Sequence, residues 1–257
     1  MMLTHYLPFR VITQSVVFND ETFAFCQLLF EKDGEYYTCQ KAERQPASAS
    51  RLLDLFAEAS VVPHAFYRTP VPTTFACTQA RELEPHMYLK VAEPLTYSKE
   101  NTLTAAEGIT DDQLREFRAC EVLLQNPHPN ICRYYGYLPS ANGDYIRGLC
   151  FERHETLLFD AVIAGAQFPP SFLDGIHEAL EHLHSLGYAH NDINPGNIMI
   201  SKAGEPILID FDSSLPLGLK VKKGKSPGWE YEGRVSAEEN DLWALAKLRE
   251  WIAGKRE

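Results

Sequence analysis

"YAHNDINPGNIMISKAGEPILIDFD", residues 188–212, is the stretch on which the fold turns. An apolar helical pattern ends just before it at Gly187, a residue suited to a left-handed cap. The chain then sets His190, Asp192 and Asn197 close together, with Pro195 and Gly196 among them. NIMI and ILID follow, two short apolar runs around a turn containing Gly204 and Pro206, which reads as a β-hairpin. Symmetric pairing would set Ile198 opposite Ile209 and Asn197 opposite Asp210, with Cβ atoms roughly 5 Å apart. An amide oxygen and a carboxylate would then meet at the open end of the hairpin, with Asp192 in the loop entering it. Hard oxygen ligands suit Mg²⁺, which completes its shell with water and phosphate oxygens. Asn197 and Asp210 are therefore expected to hold a Mg²⁺–nucleotide, and Asp192 to orient an attacking hydroxyl and accept its proton. Phosphoryl transfer needs mainly positioning and charge neutralisation, so few groups suffice. Each residue alone reads as a turn residue; the joint spacing points to the chemistry.

On the N-terminal side, a helix is expected from Ser171, with Asp174 at capping-box spacing and Phe172, Ile176, Leu180 and Leu183 on its buried face. TLLFDAVIAGA reads as another helix. ICRYYGYL and YIRGLCFE read as a hairpin around Asn142-Gly143. The segment 110–125 reads as a helix, with Thr110 and Gln113 at capping-box spacing and Leu114, Phe117 and Leu124 along one face. Glu121 falls in the same stripe, where a carboxylate is costly unless a cation or donors meet it. Residues 10–41 read as strands, with a hairpin at KDGE, and RLLDLFAEA as a short helix. From 61 to 93 prolines punctuate strand-like pieces that end in HMYLKVAEP. Beyond the hairpin, Leu242, Leu245, Leu248 and Ile252 mark one further helix.

The chain of 257 residues has room for one large domain or two lobes. Its net charge of −11 argues against a general binder of nucleic acid or anionic membrane. Lys220, Lys222, Lys223 and Lys225 read as a solvated loop. The six cysteines form no C-x-x-C pair and fit reduced thiols better than a disulfide frame or a zinc site. MMLTHYLPFRVITQ lacks a basic region followed by an apolar core, and no apolar run approaches the ~18 residues of a membrane span. Cytosol or nucleus is the expected place.

With these motifs the chain resembles the eukaryotic protein-kinase superfamily. H-N-D-I-N-P-G-N (190–197) is similar to the family's H-R-D-x-x-x-x-N loop, D-F-D (210–212) stands where D-F-G is usual, and HPNICRYYGY (128–137) resembles the segment after helix αC. The likeness covers roughly residues 85–252 and is closest to small, divergent kinase-like proteins of filamentous fungi, which share phrasing such as "GLCFER". It implies an α+β, two-lobed fold. An elaborated β-rich N-lobe would span about 1–150, including an N-terminal extension of about 1–60. A helical C-lobe, truncated after helix αF, would span about 151–257. ATP and Mg²⁺ are the implied cofactors. Glu121 would be the αC glutamate and Lys90 its partner on the α- and β-phosphates, with Lys41 as the rival lysine. Asp192 would be the base, and Asn197 and Asp210 the metal ligands. Phe151 would be the gatekeeper, and Glu152, Arg153 and His154 the hinge that binds adenine. Asp241 would tie down the catalytic-loop backbone, and His190 would be structural.

Departures qualify the resemblance. No G-x-G-x-x-G precedes Lys90, and the segment expected to cover the phosphates, around 61–82, contains no glycine, so backbone amides cannot approach phosphate as closely there. That implies weak ATP affinity, a differently built lid, or a lid supplied by residues 1–60. Asn191 replaces the arginine that reads a phosphorylated activation loop, so activation is expected not to need hydroxyls at Ser213, Ser214 and Ser226. Asn194 replaces a lysine, Asp212 a glycine, and SPGWEYEG (226–233) stands in place of A-P-E. The expected function is Mg²⁺–ATP-dependent phosphotransfer to protein serine or threonine, with a protein substrate or partner and neither nucleic acid nor membrane. The alternatives are a pseudokinase binding scaffold, favoured by the missing glycine-rich loop, and a kinase of small-molecule hydroxyls, favoured by the short C-lobe.

Overall fold

The computed structural model describes residues 7–19, 22–43, 47–92, 94, 104–221, 228–229, 231 and 233–254, without the side chains of 15–19, 22–23, 104–110 and 170. Lys222, Lys223, Lys225 and Ser226 lie outside the described residues. The chain divides into two compact units, one of residues 1–68 and 92–110, the other of 69–91 and 111–257.

In the first unit, β1 (Arg10–Asn19), β2 (Thr22–Lys32) and β3 (Glu35–Lys41) form an antiparallel meander. After α1 (Ala49–Ala57), the short β4 (Ser60–Val61) adds to β3. The expected hairpin closes at Asp33 (φ 55°) and Gly34 (φ 80°), a two-residue turn whose positive φ values match the strand twist. Side chains alternate across β2. Leu28 and Phe30 pack with Phe9 and Leu55 of α1, while Leu29 joins Tyr36, Val62, Phe66 and Tyr67 on the opposite face. Ser48 caps α1 by accepting from the Arg51 N–H at 3.3 Å. Beside the second face Glu35 meets Arg68, His64 and the Tyr67 hydroxyl. Burial pushes Glu35 up, but His64 and Arg68 outweigh it and hold the carboxyl below its ordinary range. Burial and Glu35 push Tyr67 up to about 12.

The second unit carries the motifs. β5 (Thr69–Pro70) and β6 (Met87–Lys90) pair with the long central strand of a sheet, which also pairs with its predecessor after α2 (Thr104–Gln125). Those two strands are β7 (Tyr134–Pro139) and the central β8 (Tyr145–Glu152). The division between units falls inside α2. This helix begins earlier than the expected 110, so Thr110 lies within it and not at a cap. Its buried face is Gln113, Glu116, Phe117, Cys120 and Leu123, displaced from the expected stripe of Leu114, Phe117, Glu121 and Leu124. Two polar residues sit on the inward face, so apolar spacing alone pointed to its neighbour.

After β8 short strands and helices alternate: β9 (Thr156–Leu157), α3 (Leu158–Ile163), α4 (Asp174–Ser185), β10 (Tyr188–Ala189), β11 (Ile198–Ile200), β12 (Pro206–Leu208), β13 (Leu215–Pro216) and α5 (Glu238–Gly254). TLLFDAVIAGA is thus not one helix, because Thr156 and Leu157 pair with β11. α4 starts at Asp174, not Ser171. Pro170–Leu173 forms a 3₁₀ turn, and the Asp174 carboxylate binds Arg249 at 2.8 Å instead of capping. Ile176, Leu180 and Leu183 of α4 pack with Leu245, Leu248 and Ile252 of α5 in a core that continues to Phe117 and Leu149. Leu242 departs from its expected face and is 40% exposed, while the adjacent Asp241 is fully buried. The fold class is α+β, β-rich on its N-terminal side, as expected. The 150/151 boundary falls inside the second unit near the end of β8, and the segment of about 1–60 lies in the first. No described helix is long and apolar enough to cross a membrane.

Candidate active site

The loop after α4 is clamped from below. Asp241 accepts the backbone N–H of His190 at 2.8 Å and of Asn191 at 2.7 Å, and the His184 Nε2–H at 2.8 Å. A buried carboxylate with three donors is satisfied, and the loop backbone is held in place. His190 is structural: its Nε2 donates to the Ile209 carbonyl at 3.0 Å and its ring lies against Phe211. Within the loop, the Asn197 amide donates to the Asp192 carbonyl at 2.8 Å and to its Oδ2 at 3.0 Å. Asn194 also donates to the Asp192 carbonyl and accepts from the Gly196 N–H at 2.8 Å. Asn191 is buried. Its amide group donates to the carbonyls of Ala189 and Ser213 and to Ser236 Oγ, and its oxygen accepts from Asn240.

The hairpin register corrects the symmetric pairing. Ile198 faces Leu208, Asn197 accepts from the Ile209 N–H at 3.0 Å, and Asp210 lies one residue beyond. Ser201 pairs with Glu205, so the turn is tighter than its sequence suggests, with Gly204 at φ 88°. Asp210 is directed by the backbone itself, which takes a left-handed φ of 65° there. Its Oδ1 accepts from Lys90 Nζ at 2.7 Å.

Lys90 also binds Glu116 Oε1 at 2.8 Å, and the Phe211 N–H reaches the same oxygen at 3.3 Å. Glu121, expected as the partner of Lys90, is not. It accepts from Thr78 N–H at 2.9 Å, Thr78 Oγ1 at 2.8 Å and Tyr134 OH at 3.3 Å. Five residues along a helix turn a side chain by about 140°, so the two glutamates cannot share a partner. Glu116 is the residue that sequence reasoning missed. Its signal was the spacing to Cys120 and Leu123 on the buried face. The rival Lys41 is buried in the first unit at the end of β3. Burial pushes the Glu116 carboxyl up, with Lys90 opposing. Burial alone would lower Lys90, but Glu116, Asp210 and Asp212 outweigh it and hold the ammonium above its ordinary range.

These groups close one end of a cavity of ≈ 350 Å³, the size of a small-ligand site. Tyr88, Cys132, Met199 and Ile209 supply apolar wall. Of the expected nucleotide-binding residues, Lys90, Phe151, Glu152 and His154 line it. Arg153 does not; its guanidinium donates to the Met87 carbonyl, bracing β6. Burial pushes the Cys132 thiol up to about 12, so it is an inert wall residue.

A cleft ending in a lysine between two carboxylates, beside a clamped Asp–Asn loop, defines a kinase-like site, and the comparisons agree. The family model for the protein kinase domain matches residues 95–228, just over half of the chain, and the chain belongs to that family. The match takes in all of α2, the loop and 210–212 but not Lys90. The chain is 31% identical over 159 residues to Aurora kinase A-A and to Aurora kinase A-B of Xenopus laevis, which covers 56% of this chain and 37% of each relative. It is 31% identical over 113 residues to serine/threonine-protein kinase 16 of Mus musculus, covering 40% of this chain and 37% of that one. The aligned part thus spans little more than a third of the length of these relatives.

Proposed function

We propose that this chain is a Mg²⁺–ATP-dependent phosphotransferase acting on serine or threonine hydroxyls of a protein substrate. The observation that carries the reading is Lys90 held at once by Glu116 and Asp210 at the end of the cavity. Adenine would lie along the apolar wall against the Glu152–His154 segment, whose Glu152 and Arg153 N–H groups are already donated to the Arg133 and His86 carbonyls, with Phe151 limiting the depth. Lys90 meets the α- and β-phosphates, and Glu116 keeps its ammonium in place. The donor set fits the metal: the Asp210 carboxylate and the Asn197 Oδ1, which points away from Asp192 because the amide NH₂ is donated to it. A Mg²⁺ held by these two residues would neutralise charge on the phosphate oxygens. Asp192 accepts the proton of the substrate hydroxyl as its oxygen bonds to the γ-phosphorus and the bond to the bridging oxygen opens, releasing ADP. Asn194 and Asn197 hold Asp192 for that task.

Thermal unfolding with Mg²⁺–ATP, followed by transfer of labelled γ-phosphate to a generic protein, tests the reading. Wild type is expected to be stabilised, by about 2.7 kcal/mol at a hundredfold excess of ligand over Kd, and to transfer. Asp192→Asn keeps the shape of the loop and is expected to bind without transfer. A wild type that neither binds nor transfers overturns the proposal. One observation favours a scaffold: residues 74–80 lie against α2 and β7, not over the cavity. Binding without transfer by wild type would select that reading. Transfer to small hydroxyl compounds but not to proteins would select the small-molecule kinase.

A further inference from the structure

We infer that residues 71–80 form a strap that fixes the rotation of α2, with Thr78 and Glu121 as positioning residues for the Lys90–Glu116 pair; this rests on the phosphotransfer reading above. The strap leaves β5, crosses α2, runs beside β7 and returns into β6. On α2, Phe75 packs edge-on against Phe117 at 5.5 Å, and the Arg118 guanidinium lies 5.3 Å over the Phe75 ring. Both carboxylate oxygens of Glu121 are engaged, by the Thr78 N–H and Oγ1 and by the Tyr134 hydroxyl. On β7, Tyr137 N–H donates to the Thr78 carbonyl and Ala80 N–H to the Tyr137 carbonyl, both at 2.9 Å. The approach needs Gly136: its φ is 118°, and a Cβ there would stand 2.6 Å from the Thr78 oxygen.

The strap is part of the same continuous segment that carries Lys90. α2 therefore presents one carboxylate to the cavity and another, about 140° around and about 7.5 Å along, to the strap. A rotation that releases Glu121 moves Glu116 off Lys90. The helix is thus bolted from behind by a segment that precedes the nucleotide lysine.

Two substitutions test the strap. Thr78→Val removes the hydroxyl at nearly constant shape, and Thr78→Ser restores it. Glu121→Leu removes every acceptor; if it fails to fold, the Thr78 pair carries the test alone. The expected result for Thr78→Val is about a tenfold fall in kcat, equivalent to about 1.4 kcal/mol, with KM for ATP changed much less. Faster amide hydrogen exchange across residues 113–120 is expected alongside, and both effects are expected to revert in Thr78→Ser. A folded Thr78→Val with wild-type kcat and wild-type exchange at 113–120 overturns the strap. If wild type itself shows no transfer, the functional reading has failed, and exchange decides the strap on its own: loosening that stays within 71–80 and spares the Glu116 turn overturns it, and loosening that reaches the turn supports it.

Discussion

The loop at 190–197 and helix α2 both bury polar groups beside the cavity, and they satisfy them in opposite ways. In the loop, Asn194 and Asn197 bond to Asp192 within a few residues, and one distant carboxylate, Asp241, clamps the backbone. On α2, each glutamate finds its partner far along the chain, Glu116 at Lys90 and Glu121 at Thr78. Local bonding writes itself into spacing, so a motif can be read. Distant pairing is chosen by which helix face turns inward, and a polar residue on that face conceals the choice.

The most severe test of the contrast is Asp241→Ala. It leaves three buried donors without their acceptor and is expected to cost about 4 kcal/mol, measured by urea unfolding. A cost under about 1 kcal/mol would mean that the loop holds itself. Lys90→Met comes next, at about 3 kcal/mol, because Glu116 is 3% exposed and loses its cation. It should also abolish stabilisation by Mg²⁺–ATP, whereas Lys41→Met should not; equal effects in the nucleotide assay would remove the basis for choosing between the lysines. Gly136→Ala should cost about 2 kcal/mol through its left-handed φ and the short approach to Thr78.

The stability advantage of wild type over Lys90→Met should also depend on pH. The folded chain holds the Lys90 proton more tightly than the unfolded one, since Glu116, Asp210 and Asp212 outweigh burial. That contribution is complete below the unfolded lysine value near 10.4 and is lost as pH rises through the folded value. Paired unfolding curves from pH 8 to 11 should show a constant difference that shrinks only at the alkaline end. The smallest expected effect belongs to joint replacement of Ser213, Ser214 and Ser226 by Ala. Ser213 and Ser214 are buried, and Asn191 already ties the Ser213 carbonyl with an uncharged amide. Transfer should persist in the folded variant; its loss would show that a phosphorylated hydroxyl is needed.

Much of the architecture was legible. The KDGE hairpin, the Ile176–Leu180–Leu183 face of α4, the Leu245–Leu248–Ile252 part of the α5 face, the left-handed Gly187 and the loop around Asp192 all follow from period, turn chemistry or local bonding. Beyond the displaced α2 face and the shifted helix boundaries, three further readings slipped for identifiable reasons. The hairpin register moved by one because Ser201–Glu205 closes a tighter turn than the symmetric reading allowed. Arg153 left the nucleotide edge because the Met87 carbonyl at the start of β6 accepts from its guanidinium. The strap was invisible: its lack of glycine said only that it is no ordinary phosphate-binding loop, while its partners on α2 and β7 are fixed by tertiary packing.

Asn191 has a consequence for how such a chain changes over time. Its side chain is enclosed by Ala189, Ser213, Ser236 and Asn240, each supplying or receiving a hydrogen bond. An arginine placed at this position would bring a longer cation into a pocket built for a neutral amide and would take one partner from each of Ser236 and Asn240, leaving them the Leu215 and Val235 carbonyls. Arginine alone is therefore disfavoured here unless those neighbours change with it. Residue 191 and its neighbours thus constrain one another, and substitutions among them are expected to be strongly non-additive.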